Sequence, residues 1–221
     1  MSTLTLNSLL GEIKRVHDNE QSGVLVLTKS NGERVDVVFR EGMVEAASSS
    51  LAGRRLGDYL GKEGFATVRD LDTLESLSRR KGILFGEAVV GKGFATQGEL
   101  SGVVRLQAIE LLDHAFRNGF TVDSFESGLR TYHAAARITF PNVLLELCRR
   151  NAMPFESGTN VQLALRGGID FSLFHWYPQE LHVLSELQYS ATFERLLNTT
   201  GFQETNLKKV LGVFDELGII E

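Results

Sequence analysis

The side chains that could do chemistry in this 221-residue chain are few and scattered. His17, His114, His133, His175 and His182 show neither the i, i+4 spacing of a helical zinc pair nor a neighbouring cysteine pair, so no metal site is expected. The one cysteine, Cys148, precedes Arg149 and Arg150, which would lower its pKa at an exposed site. It shares a helical apolar face with Val143, Leu144 and Leu147, where a thiol serves as a small buried hydrophobe. Ser48, Ser49 and Ser50 lack the turn and base of a nucleophile, and the carboxylates of Asp215 and Glu216 fall on an amphipathic helix where solvation accounts for them. With no nucleophile, base, metal or cofactor set, a non-enzymatic protein is expected.

One glycine-rich stretch, Val89-Val90-Gly91-Lys92-Gly93-Phe94, has the look of a phosphate loop. An internal repeat argues otherwise. Leu56-Gly57-Asp58, Gly64-Phe65-Ala66-Thr67 and Asp70-Leu71 return 29 residues later as Phe85-Gly86-Glu87, Gly93-Phe94-Ala95-Thr96 and Glu99-Leu100. Such periodicity marks a duplicated supersecondary unit. Thr67 with Asp70, and Thr96 with Glu99, have the spacing of a capping box, so each copy is predicted to be a short helix, a glycine turn at Gly64 or Gly93, and a capped second helix. The apparent phosphate loop then falls on a helix end and its cap, whereas a nucleotide loop needs a strand before it and a helix start after it.

The other elements frame this insert. Residues 6–20 carry Leu6, Leu9, Leu10, Ile13 and Val16 at helical spacing. Apolar runs at 24–27, 35–39 and 43–46, separated by Asn31-Gly32 and Glu41-Gly42, predict a three-stranded antiparallel meander. The second copy's last helix runs on to Asn118-Gly119, and the alternation of Phe120, Val122 and Phe125 predicts a further strand joining the meander. A helix is predicted over 141–151, with Pro141 in its first turn. Residues 153–168 read as loop, with 161–165 open between strand and short helix. Helical patterns at 180–187, 191–198 and 204–217, ending in Gly218-Ile219-Ile220, predict a winged-helix-like unit.

Composition bounds the partners. Lys plus Arg is 23 against 28 for Asp plus Glu, a formal charge of −5, which gives no global attraction to nucleic acid or anionic membranes. The tail from 180 to 221 holds three basic and seven acidic residues, so DNA contact there is disfavoured. Apolar runs fall far short of the roughly 20 residues of a membrane helix. The first 12 residues lack a secretory-leader pattern, and a single cysteine suits a reducing compartment, so a cytoplasmic location without membrane insertion is expected.

Two resemblances refine the functional expectation. The stretches 22–27 and 37–46, with Phe39-Arg40-Glu41-Gly42-Met43-Val44-Glu45-Ala46 the most specific, resemble the PATAN-type domain of bacterial signalling proteins, and 144–150 is similar to that family's closing helix. This implies a module acting by protein contacts in signal transduction, motility or type IV pilus control. The duplicated unit resembles the MshEN-type N-terminal domain of pilus and secretion ATPases, whose tandem motifs bind cyclic di-GMP in some members. Arg55, Leu56, Gly57, Leu60, Gly64 and Leu71 match the first motif, whose final Gln falls on Ser78. Gly86, Val89, Gly93, Leu100 and Gln107 match the second, whose leading Arg falls on Leu84. The resemblance implies a conditional cyclic di-GMP site at Arg55, Leu56, Gly57, Leu60, Gly64, Gly86, Gly93 and Gln107.

The expected architecture is therefore α+β: an antiparallel sheet flanked by helices over residues 1–152, including a tandem helical-hairpin insert at 53–107, a connecting segment at 153–177, and a winged-helix-like tail at 178–221. The expected function is a non-enzymatic signal-transduction module working by protein–protein interaction. The alternatives are a cyclic di-GMP receptor and a winged-helix transcription regulator.

Overall fold

The computed structural model describes residues 8–128, 136–156 and 161–221. His133 and residues 6–7 of the expected first helix lie outside the described residues. The chain divides into two compact units, one ending at Phe140 and the other running from Pro141 to Glu221.

In the first unit, helix α1 (Ser8–Asp18) precedes β1 (Gly23–Thr28), β2 (Arg34–Arg40) and β3 (Met43–Ser49). The meander forms as predicted because its turns have the residues they need. Gly32 takes φ +86°, while Glu41 and Gly42 take +50° and +74°. Strand β4 (Thr121–Ser127) joins antiparallel to β1, giving the order β3-β2-β1-β4. Alternation then sorts the faces of the sheet. Val24, Val26, Val38 and Ala46 enter one core with the helical insert. On the opposite face Leu25 is in register with Phe125, and Arg15 of α1 lies 5.7 Å from the Phe125 ring centre. Both faces of β1 are thus covered, which explains its continuous apolar run.

The insert comprises α2 (Leu56–Lys62), α3 (Val68–Lys81), α4 (Phe85–Gly91) and α5 (Gln97–Arg117). Both capping boxes form. Thr67 Oγ1 accepts from Asp70 N–H at 3.3 Å while the Asp70 carboxylate accepts Thr67 N–H at 3.0 Å, and Thr96 and Glu99 repeat the exchange at 3.3 and 2.8 Å. These bonds hold the Asp70 and Glu99 carboxyls below their ordinary range, so the caps contribute above the unfolded-state carboxylate pKa and weaken as pH falls through the folded one. Gly64 and Gly93 follow α2 and α4 at φ +79° and +75°, with open space where a Cβ would stand. Thr96→Ala is expected to cost about 1 kcal/mol by denaturant titration, because α5 then keeps an unanswered N–H at its start.

The second unit holds α6 (Phe140–Asn151, from Pro141 on), β5 (Gln162–Leu163), α7 (Pro178–Leu187), β6 (Ala191–Thr192), α8 (Phe193–Thr200) and α9 (Glu204–Glu216). The boundary therefore falls before α6 rather than at residue 152. Leu145 and Cys148 of that helix share a core with Leu163, Val183, Leu187, Leu211 and Phe214, so this face of α6 belongs to the tail's hydrophobic cluster. Residues 153–177 are more than a connector. Leu163 pairs with Ala191, Leu165 bridges Ile220, and the half-buried Phe171, Phe174 and Trp176 pack on the same core.

Candidate functional site

The duplicated hairpins place their most specific residues around one cavity in the first unit. At the start of α2 the Asp58 carboxylate accepts the Arg55 N–H at 2.7 Å, and at the start of α4 Glu87 accepts the Leu84 N–H at 2.8 Å. These acids sit 29 residues apart, so the two short helices begin alike and their first turns can face the same space. The cavity of about 280 Å³ is bounded by residues 46–49 of β3, by Arg55 and Leu56, by residues 84–87, and by Val104 and Gln107 of α5.

Of the residues singled out in sequence, Arg55, Leu56, Gly86 and Gln107 therefore meet. The others do not. Leu60 is fully buried in the insert core. Gly57 opens with Arg55 and Leu56 onto a neighbouring groove between α2 and α3, and Gly64 borders a depression at the turn after α2. Gly93 is the cap after α4. The helical path of Phe85–Gly91 also removes the phosphate-loop reading, since no strand leads into Gly91 or Gly93.

The two polar motif positions have internal work. Gln107 is 4% exposed and its Nε2 donates to the Arg54 carbonyl at 3.0 Å; Ser78 Oγ donates to the Ile83 carbonyl at 2.6 Å. Residues 78 and 107 are repeat equivalents, as are 54 and 83. Each copy's second helix thus bonds the carbonyl just ahead of the other copy's first helix, a reciprocal tie that fixes the hairpins to each other. A hydroxyl suffices at Ser78 because its target is five residues away, whereas the longer amide of Gln107 reaches across 53 residues of sequence.

Charge around the cavity is unequal. The exposed Arg55 guanidinium has no hydrogen-bond or ion-pair partner among the described residues, and at the equivalent position Leu84 leaves an apolar side chain 42% exposed. In the insert core, burial pushes the Tyr59 phenol up to about 12, with its hydroxyl donating to Glu110 at 3.0 Å. That group is a fixed donor at neutral pH. Comparisons with known protein families, with curated proteins and with solved structures find no match. Among the described residues no group of three or more His, Cys, Asp or Glu side chains could hold a metal ion, and no helix is long and apolar enough to cross a membrane.

The residues that sequence reading missed are those from β3. Ser48 and Ser49 were weighed there only as nucleophiles, yet they form a wall of the cavity. Cys148, by contrast, is buried as its helical position predicts, and burial pushes its thiol up to about 12. Native protein is expected to resist thiol-directed alkylation at pH 8 and to react stoichiometrically once unfolded in guanidinium, as mass spectrometry would show.

Proposed function

We propose that this chain is a non-enzymatic regulatory module that works by contact with another protein, in the bacterial signalling, motility or pilus setting that the resemblances imply. The observation that carries the reading lies in the second unit. Tyr177 and Leu181 stand 54% and 50% exposed one helical turn apart at the start of α7, with the Leu181 N–H bonded to the Tyr177 carbonyl at 3.0 Å. Tyr at such a site offers a large rigid contact area, and paired exposed apolar side chains on an ordered helix mark interaction surfaces. A photo-crosslinking residue placed at 181 in living cells should capture a specific protein that the same residue placed at Lys209 does not. Identical or empty capture at both positions would refute contact through this face.

A second reading, a cyclic di-GMP receptor, draws on the meeting of Arg55, Leu56, Gly86 and Gln107 around one cavity. It requires calorimetry to show saturable heat that Arg55→Ala removes, and a flat titration eliminates it. The transcription-regulator alternative gains no support from α9, where Lys208 is paired with Glu204.

A further inference from the structure

We propose that the cavity beside residues 46–49 is a binding site for a small monocarboxylate with an apolar body, a site distinct from the contact face on α7. Its size sets the ligand class first. About 280 Å³ is the low end for a ligand pocket and has room for about nine water-sized groups, which is one short chain or a single ring. Its walls set the body. Ala46, Leu56, Leu84, Phe85 and Val104 are apolar, and Leu84 and Phe85 remain incompletely buried although they belong to an ordered helix start. Covering them removes apolar surface from water without reorganising the fold.

The rim sets the head group. Arg55 supplies a guanidinium with no partner among the described residues, and a planar fork matches a carboxylate in two parallel bonds. Ser48, on the same face of β3 as Ala46, lines the same space, and its hydroxyl can donate to an anion, whereas the Ser49 hydroxyl donates to the Arg34 carbonyl at 3.1 Å. The remaining charges limit the ligand to a single negative charge. Glu87 borders the cavity, and Asp58 is held beside Arg55 by its bond to that residue's N–H. Among the described residues Arg55 is the one cationic residue that lines the cavity, so its fork can pair a single carboxylate, whereas the further negative charge of a phosphate dianion or a second phosphodiester meets no second cation there and is repelled by Glu87. The same reasoning disfavours a dinucleotide here, and Leu84 in place of a second arginine strengthens it.

Octanoate and octanamide, equal in length and different in charge, test the site in the full chain. Octanoate should saturate with a dissociation constant below about 1 mM, an affinity within reach of ten heavy atoms, and should shift the backbone amide resonances of Ala46, Leu56 and Gly86. Arg55→Met keeps the apolar stem and should weaken octanoate at least tenfold while leaving octanamide unchanged. Leu84→Glu, at a half-exposed helix start that tolerates an acid, should also weaken octanoate, and circular dichroism would confirm that both variants are folded. The proposal is overturned if octanoate does not saturate at millimolar concentration, if Arg55→Met binds it as wild type does, or if the shifts fall elsewhere. Cyclic di-GMP shifting these amides where octanoate does not would likewise overturn it, in favour of the dinucleotide reading.

Discussion

Arg149→Met is expected to destabilise the second unit by about 3–5 kcal/mol, the cost typical of removing one partner from a buried ion pair. The Arg149 and Glu180 side chains are only 11% and 6% exposed. The guanidinium donates through Nε and Nη2 to the two Glu180 oxygens at 2.9 and 2.6 Å, through Nη1 to Glu146 at 3.0 Å and through Nη2 to the His175 carbonyl at 2.9 Å. It also lies 3.8 Å from the Tyr177 ring centre. One side chain of α6 thereby fixes the approach to α7 and the first turn of α7 itself. Methionine fills similar volume but leaves Glu180, whose other partner is the Tyr177 N–H at 2.7 Å, as a buried carboxylate without its counter-charge. Glu180→Gln should cost less, because Arg149 keeps Glu146 and the His175 carbonyl.

The readout is built in, since Trp176, the only tryptophan, packs against Phe174 and Phe214 in that unit's core. Urea titration followed by its fluorescence reports the second unit directly. Arg149→Met with Glu180→Met should recover most of the loss, because paired apolar replacements leave no stranded charge. A single-variant loss under 1 kcal/mol would mean that water screens the pair as it screens the exposed Arg79–Glu75 bridge.

That pair also shows where sequence reading stops. The capping boxes, glycine turns and meander were legible because each is decided within about four residues: Thr67 and Asp70 answer each other wherever the helix goes. Arg149 and Glu180 lie 31 residues apart, and nothing in their neighbours says that they meet. The two-residue strand at Gln162–Leu163 was ambiguous for the same reason, since its partners are Ala191–Thr192 on one side and, through Leu165, Ile220 on the other. Helix α6 is legible as a helix, but the core that Leu145 and Cys148 enter is not. An apolar stripe says that a face is buried, not which core receives it.

The cavity was half legible. The 29-residue offset placed Arg55 and Gly86 at equivalent helix starts, and tandem copies packed together bring equivalent starts near each other. What the motif could not convey is that Gln107, and Ser78 at the equivalent position, bond backbone carbonyls of the opposite copy and so tie the hairpins together. The β3 wall is not legible because the apolar run of Ala46 and Ala47 reads as ordinary strand packing, and nothing local to β3 tells that residues 84–87 come to face it across a cavity.

Two glycine-to-alanine changes in helices should move stability in opposite directions. Gly102 lies inside α5 with nothing within 4 Å of the place its Cβ would take, so Gly102→Ala should gain about 0.5–1 kcal/mol from helix propensity alone. Gly212 lies inside α9 and is buried, and a Cβ there would overlap the Met153 carbonyl oxygen and sit 3.2 Å from the Met153 carbonyl carbon and 3.3 Å from the Phe155 nitrogen. The chain leaving α6 crosses the helix at this point, with the Phe155 N–H bonded to the Lys208 carbonyl at 2.9 Å. Backbone cannot rotate aside as a side-chain end can. Gly212→Ala must push residues 153–155 off the helix, loosening that bond and the seat of Phe155 on the core. The same propensity gain is then outweighed, and a net loss of about 2–3 kcal/mol is expected from overpacking. Trp176 fluorescence in urea would show it, together with faster hydrogen exchange at the Phe155 amide. A Gly212→Ala variant as stable as Gly102→Ala would mean that the crossing chain does not press on α9.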